Sequence, residues 1–445
     1  MSGKAAENFW IEQLLRRAGF GCTPQELAGY KALGYEDAVE QLINPQRVPN
    51  DELGTLIEQQ DFDFTRLDDL KRWWLYRMCF TRRPLEEKMT LFWHGHFATA
   101  NAKVGQPYLM YMQNLLMRKF ALGNFHDLLL GISRDPAMII WLDNQQNRKG
   151  KPNENYAREV MELFTVGIGH YTEQDVKESA RAFTGWQTRP DGFYFNANQH
   201  DNGEKTFLGH TGDLNGDDIV AILVSQPATA QFLARKMVTF FVADKPDQSM
   251  IDDVADAYMA SRFQIRPMLK TIFTHRLFRS DKAYHAKIKS PAELVVGTLK
   301  TLQVTKLDAD LPAVMARMGQ NLFEPPNVKG WDGGPAWIST NTMMERFNFA
   351  TRITQQKFDA LEGYFSPSQL AANQGLRRAR DLVDYFLALL VDGDVPADTR
   401  DSLIKYVSTD FDGQSIEAIP DDRTLDAKLR GLVHLIMTLP TYQLA

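Results

Sequence analysis

Cysteine is nearly absent. Cys22 and Cys79 are the only two in 445 residues, too few and too scattered for a disulfide framework or a zinc site. Long apolar runs are missing as well, and with 44% hydrophobic and 24% charged residues the composition excludes both a disordered chain and a membrane-spanning one. There is no excess of positive charge: the formal net charge is -6, which argues against a nucleic-acid binder that must neutralise phosphates with a basic face. A phosphate loop, a dinucleotide fingerprint, a GxSxG elbow and an HExxH pair are all lacking, which weakens the NTPase, dehydrogenase, esterase and zinc-protease readings. The opening MSGKAAENFWIEQLLRRAGFG has no apolar core of a secretory signal, so as written it predicts a cytoplasmic location.

What is present is helical periodicity, densest in NENYAREVMELFTVGIGHYTEQDVKESARAFTGW, residues 153–186. Tyr156, Ala157, Val160, Leu163 and Phe164 share one arc at the 3.6-residue period, while Glu154, Arg158 and Glu162 line another at i, i+4, i+8. That stripe is either a solvated ladder of weak ion pairs or one wall of a cleft in which Arg158 orients one carboxylate and leaves the other for acid–base work or a cation. Gly167 and Gly169 suit the helix end. Thr172 with Asp175 predicts a capping box that opens a second helix.

Upstream, Pro84 opens a helix with Leu85, Lys88, Met89, Phe92 and His96 on one face. In a continuous helix His94 and His96 of FWHGHF project about 200° apart, so His96 is expected inside and His94 turned away unless Gly95 ends the helix. Asn144, Asn153 and Asn155 lie in a polar segment that either meets a ligand or caps turns. From Gln187 to Asp213 alternation replaces the helical period and predicts a β-hairpin with Asn202-Gly203 in its turn. His200 and Asp201 near its tip are either turn formers or functional groups. DLNGDD, residues 213–218, lacks the glycine and the terminal glutamate of a calcium loop and reads as a helix cap. In NLFEPPNVKGWDGGPAWISTNT, residues 321–342, Trp331 and Trp337 are candidate platforms for a flat ligand with Lys329 and Asp332 as polar contacts, or anchors that pin a long loop into the core. Ser290, Pro291 and Glu293 begin another strongly capped helix.

The expected fold is mainly α: a single compact multi-helix assembly over residues 1–445 with one small β-hairpin insertion at 186–213, a long Pro/Gly/Trp loop at 321–342, and a C-terminal helical part of the same domain at 343–445.

FWHGHFATA, NENYAREVMELFTVG, YTEQDVKESARAFTGW, HDNGEKTFLG, QPATAQFLARKMVTFFV, IKSPAELVVG and NLFEPPNVKGWDGG occur in this order and together resemble the bacterial domain-of-unknown-function 1800 family over nearly the whole chain. That family has no established chemistry to carry over. The resemblance implies a tendency to export and a sulfatase-like partner protein. This N-terminus departs from the pattern, and a periplasmic or exported location follows only if a leader was removed.

Two functional expectations stand beside each other. In the first the motifs converge on one cleft of an enzyme: Glu154, Arg158, Glu162, His96, His200 and Asp201 supply acid–base chemistry, and Asn155, Lys329, Trp331 and Trp337 hold a polar, carbohydrate-like substrate. A divalent metal in that cleft would be held by Glu154, Glu162 and His94 or His96, with Arg158 opposing it. In the second the chain is a non-catalytic binding or assembly protein for a sulfatase-like partner, and the same residues are structural.

Overall fold

The structure, a computed structural model, describes residues 3–355, 365–409, 414 and 422–445. Helices dominate, 23 of them among the described residues, as the periodicity requires. Their boundaries follow local chemistry. Proline sits in the first turn of Pro84–His96, Pro107–Lys119, Pro136–Trp141, Pro227–Phe241 and Pro291–Thr301, where its missing N–H costs nothing. Reciprocal capping boxes begin Glu173–Ala182 at Thr172 and Asp175, and Pro291–Thr301 at Ser290 and Glu293. DLNGDD does cap a helix: Asn215 and Asp218 close a third box before Gly216–Val224.

The β structure departs from expectation. Two hairpins form where one was expected: β1 (Trp186–Arg189) pairs with β2 (Gly192–Phe195), and β3 (Lys205–Phe207) with β4 (His210–Gly212). Each strand takes its nearest partner across a two-residue turn. In the second, Leu208 and Gly209 both have positive φ (44° and 83°), the backbone such tight turns need. Asn202-Gly203 therefore lies between the hairpins and not in a hairpin turn. There the Asp201 carboxylate accepts the Gly203 N–H at 2.9 Å.

The chain divides into two compact units that interleave in sequence. The first contains residues 1–19, 33–284 and 321–332, and the second residues 20–32, 285–320 and 333–445. The expected loop at 321–342 is thus shared out, with Trp331 in the first unit and Trp337, buried, in the second. In the second unit the C-terminal residues pair with the segment before Pro291–Thr301: Lys289 N–H bonds Gln443 O and Ala445 N–H bonds Lys287 O. Arg346 is buried beside them, donating to Lys289 O and Gln443 Oε1.

The first unit is organised around the Pro84–His96 helix. Ten of its thirteen residues are buried, among them Glu87, Lys88, His94 and His96. Glu87 is fully enclosed and receives Arg118 through two bonds (2.7 and 2.9 Å), Arg77 (2.8 Å) and the Trp74 indole N–H (3.0 Å). Trp73 lies beneath both guanidiniums. Burial alone would raise this carboxyl; Arg118 and Arg77 hold it down at about 2. One ion cluster thereby ties Leu67–Phe80, Pro84–His96 and Pro107–Lys119 together.

Candidate functional site

The HGH triplet closes the Pro84–His96 helix, and both of its histidines are buried, His94 to 1% and His96 to 2% exposure. They do project to different faces, as helical geometry requires, but each face is covered. On one side His94 Nε2 accepts the Phe323 N–H at 3.0 Å, with the rings of Trp74, Phe323 and Trp331 around it. Its other nitrogen, Nδ1, therefore carries the proton of the neutral ring. Burial pushes it down to about 3. On the other side His96 Nε2 donates to Phe164 O at 3.1 Å, within a shell that includes Phe92, Trp93, Phe97 and Phe232. Burial, and then the charge of Lys236, press it well below the ordinary histidine value. Two neutral, dry histidines at pH 7 act here as hydrogen-bonding core residues.

The PPNVKGW loop owes its position to this helix end. Phe323 adopts φ 62°, costly for a bulky residue, and is held by His94 on its N–H and by the Asn101 N–H on its carbonyl. Gly330 has φ +87°, and a Cβ there would run into the Gly95 carbonyl oxygen; only glycine lets the loop seat. Trp331 is half-buried with its ring centroid 5.6 Å from that of His94. Lys329 is exposed and pairs with Asp332 at 2.8 Å.

The Asn155–Glu162 helix is a different environment. Arg158 bonds Glu173 through two nitrogens at 2.8 Å and reaches Glu154 at 3.3 Å, a half-exposed ladder. Glu162 accepts a 2.9 Å hydrogen bond from the Tyr171 hydroxyl. Burial, and then that bond to Glu162, raise Tyr171 to about 12, so it stays a donor. Between Arg158 and Glu162 in sequence lies Glu159, half-buried, whose carboxyl has no hydrogen bond or ion pair among the described residues. Burial and the neighbouring Glu162 charge raise it above the ordinary glutamate value. The stripe read at i, i+4, i+8 missed it because its significance comes from the i, i+3 neighbour and from burial.

The asparagines and the hairpin residues are held by hydrogen bonds and ion pairs within the fold. Asn144 Nδ2 donates to Trp186 O, Asn147 Nδ2 to Ala180 O, and Asn153 Oδ1 accepts the Asn155 N–H. Asn155 Nδ2 reaches Asp143 at 3.4 Å. His200 is buried and donates Nδ1–H to Thr184 O at 2.8 Å. Asp201 pairs with Arg181, whose hydrogen bonds hold it down at about 2. These bonds fasten the segment before β3 to the end of the Glu173–Ala182 helix.

The expected residues therefore fall into three groups: His94, His96, Lys329 and Trp331 at the end of the HGH helix; Glu154, Arg158 and Glu162 with Tyr171 and Glu173; and His200 with Asp201 at Arg181. The expected metal ligands Glu154, Glu162, His94 and His96 do not form a ligand set. Among the described residues no three His, Cys, Asp or Glu are grouped to hold an ion, because each imidazole is committed to a backbone partner and each carboxylate to Arg158 or Tyr171.

A groove of about 520 Å³ runs between Val166 and His170, just past the Asn155–Glu162 helix, and Gln226, Pro227, Ala228 and Gln231 at the start of Pro227–Phe241. His170 lines it, and the next residue is Tyr171, the partner of Glu162. Two further groups are set apart by burial. Lys236, one turn beyond Phe232, is half-buried with its ammonium over that ring at 5.3 Å. Asp135 caps Pro136–Trp141, accepts from Gln113 at 2.7 Å, and is pushed up to about 7 by burial.

Among the described residues no helix is long and apolar enough to cross a membrane. No curated protein and no solved structure matches the chain. The family described as "Protein of unknown function (DUF1800)" matches residues 13–444, and the chain, carrying that family's motifs from the HGH helix to the PPNVKGW loop, belongs to it.

Proposed function

We propose that the protein is an enzyme, a hydrolase in which carboxylates of the Asn155–Glu162 helix perform acid–base chemistry on a polar, carbohydrate-like substrate. The observation that carries this reading is the unequal pair Glu159 and Glu162. Glu159 is half-buried, unpaired and raised, suited to hold a proton and deliver it; Glu162 is fixed by the Tyr171 hydroxyl, suited to stay charged beside it. Two neighbouring carboxyls with opposed environments are the usual basis for dividing acid and base roles at one pH. The groove lined by His170, Gln226 and Gln231 supplies amide and imidazole contacts of the kind a hydroxyl-rich ligand takes. Glu162 keeps the role expected of it and Glu159 and Tyr171 join it, while His96, His200 and Asp201 are left out because they are tied into backbone and ion-pair contacts.

Turnover of a panel of chromogenic glycosides and polysaccharides tests the reading. Glu159→Gln and Glu162→Gln are each expected to lower kcat by about 10²-fold or more with an unchanged Tm. A substrate turned over equally well by both variants would overturn it.

A second reading, a non-catalytic assembly protein for a sulfatase-like partner, is favoured by the exposed apolar residues Ile338, just before Thr340–Gln355, and Met344 and Phe347 within it. Co-expression with a sulfatase-like protein checks it by size-exclusion chromatography. Co-elution lost in Phe347→Asp supports it; separate elution of the unaltered proteins refutes it.

A further inference from the structure

Apart from the groove at His170, the first unit holds another cavity, of about 300 Å³, between the end of Pro227–Phe241, the start of Gln248–Ala260 and residues 277–283. Its inner surface is apolar: Val238, Val242 and Met250 are buried and Leu277 is half-buried. The wall at 277–283 is fastened to the Gly3–Ala18 helix, where Gln13 Nε2 donates to Phe278 O at 2.8 Å and Arg17 to Ala283 O at 2.6 Å. Within that wall Ser280 Oγ donates to Leu277 O at 2.7 Å, and the Ala283 N–H to Ser280 O at 2.9 Å. The cavity is therefore held open by bonded elements.

Its mouth is polar. Lys245 and Lys282 line it from two different loops, both exposed, and neither ammonium makes a hydrogen bond or ion pair among the described residues. Asp247 is the one carboxylate among the lining residues, and it is engaged as the cap of Gln248–Ala260: its Oδ1 accepts the Ser249 N–H at 3.0 Å and the Ser249 hydroxyl at 2.7 Å. Two cations against one committed carboxylate leave the lining positive.

An apolar floor with unpaired ammoniums at the opening matches a ligand built the same way, an apolar tail that ends in an anion. A small hydrophilic anion would leave the floor to water, and a neutral apolar ligand would leave the ammoniums unused. Lysine stems lie along apolar surface while their ammoniums stay in water, so the anionic end is met at the rim. The volume equals about ten waters of roughly 30 Å³ each, room for an alkyl chain of about six to eight carbons.

We propose that this cavity binds a medium-chain alkyl carboxylate, its tail against Val238, Val242, Met250 and Leu277 and its carboxylate taken by the ammoniums of Lys245 and Lys282. The site uses none of the residues of the acid–base reading and stands whether or not that reading holds.

The test is NMR of the full chain carrying methyl-¹³C methionine, with the Met250 signal assigned by its loss in Met250→Leu. Octanoate is expected to shift this signal saturably, and across hexanoate, heptanoate and octanoate Kd should fall about three- to fourfold per added CH₂. Octylammonium, with the same tail and the opposite charge, should bind at least about fivefold more weakly. Octanoate should lose affinity by the same factor in the double variant Lys245→Ala with Lys282→Ala, whose exposed positions leave Tm unchanged and which should still bind octanol as the parent does. An unmoved Met250 signal, a Kd indifferent to chain length, octylammonium bound as tightly as octanoate, or octanoate bound undiminished by the double variant would each overturn the proposal.

Discussion

The Pro84–His96 and Asn155–Glu162 helices carry similar chemistry, with glutamates on both, two histidines on the first and an arginine on the second, yet they use it in opposite ways. On the first helix Glu87 is enclosed and matched by two arginines and an indole, His94 by Phe323 N–H, and His96 Nε2 by Phe164 O, while His96 Nδ1 has no partner among the described residues and burial with the Glu87 charge raises the half-buried Glu86. On the second the charges are half-exposed, and one of them, Glu159, has no partner among the described residues. Buried polar groups are expensive unless paired, so the closed Glu87 ion cluster marks the first helix as scaffold. Glu86 shares the half-buried, unpaired state of Glu159, so function is placed on the second helix because the neighbour of Glu159, Glu162, is held by Tyr171, the residue that follows His170 of the groove.

The contrast predicts its largest effect at Glu87. Glu87→Gln leaves two guanidiniums without a counter-charge in the interior and should destabilise by about 3–5 kcal/mol, read by urea unfolding. A change below about 1 kcal/mol would mean that this cluster is no more a scaffold than the exposed ladder.

The pH dependence sharpens the same point. His94 and His96 have folded values below the ordinary 6.5, so the unfolded chain takes up their protons first. Their stabilising contribution is complete above pH 6.5 and is lost as pH falls toward the folded values. Asp135 acts oppositely: its folded value is raised to about 7, so its contribution is present below the ordinary carboxyl range and is lost as pH rises through 7. Near pH 5.5 the two histidines outweigh the one aspartate, so stability is expected to fall on acidification. Asp135→Asn should make that loss steeper. An unchanged slope would show that Asp135 does not titrate as described.

How much of this was legible follows from range. Helix starts were readable because proline and capping pairs act within four residues, as at Thr172 with Asp175 and at Ser290 with Glu293. The opposed faces of His94 and His96 were readable from the helical repeat, but not that Phe323, 229 residues further on, would cover one of them. Two hairpins replaced one because the alternating pattern fixes strand character and leaves pairing to turn geometry. Lys236 and Glu159 were invisible for a common reason: each is set apart by burial and by a charge brought near in the fold, and neither spacing nor composition encodes that.

A smaller effect is expected at the loop contact. Gly330→Ala meets both a left-handed backbone and the Gly95 carbonyl oxygen, and should cost about 2 kcal/mol or more in thermal or urea unfolding. Unaltered stability would detach the PPNVKGW loop from the scaffold. The smallest effect belongs to the exposed ladder: Arg158→Ala should shift Tm by no more than about 2 °C by calorimetry, and a larger drop would make this helix scaffold as well.

The central claim is that the Asn155–Glu162 helix keeps one carboxyl protonated beyond its normal range for use in chemistry. The direct measurement is a ¹³C NMR titration of side-chain-labelled glutamate, with Glu159 assigned by its absence in Glu159→Gln. The account predicts that the Glu159 carboxyl titrates above the ordinary glutamate value of 4.5, and that Glu162→Gln, by removing the neighbouring charge, brings it down. A Glu159 carboxyl that titrates at or below the ordinary value, indifferent to Glu162→Gln, would contradict it.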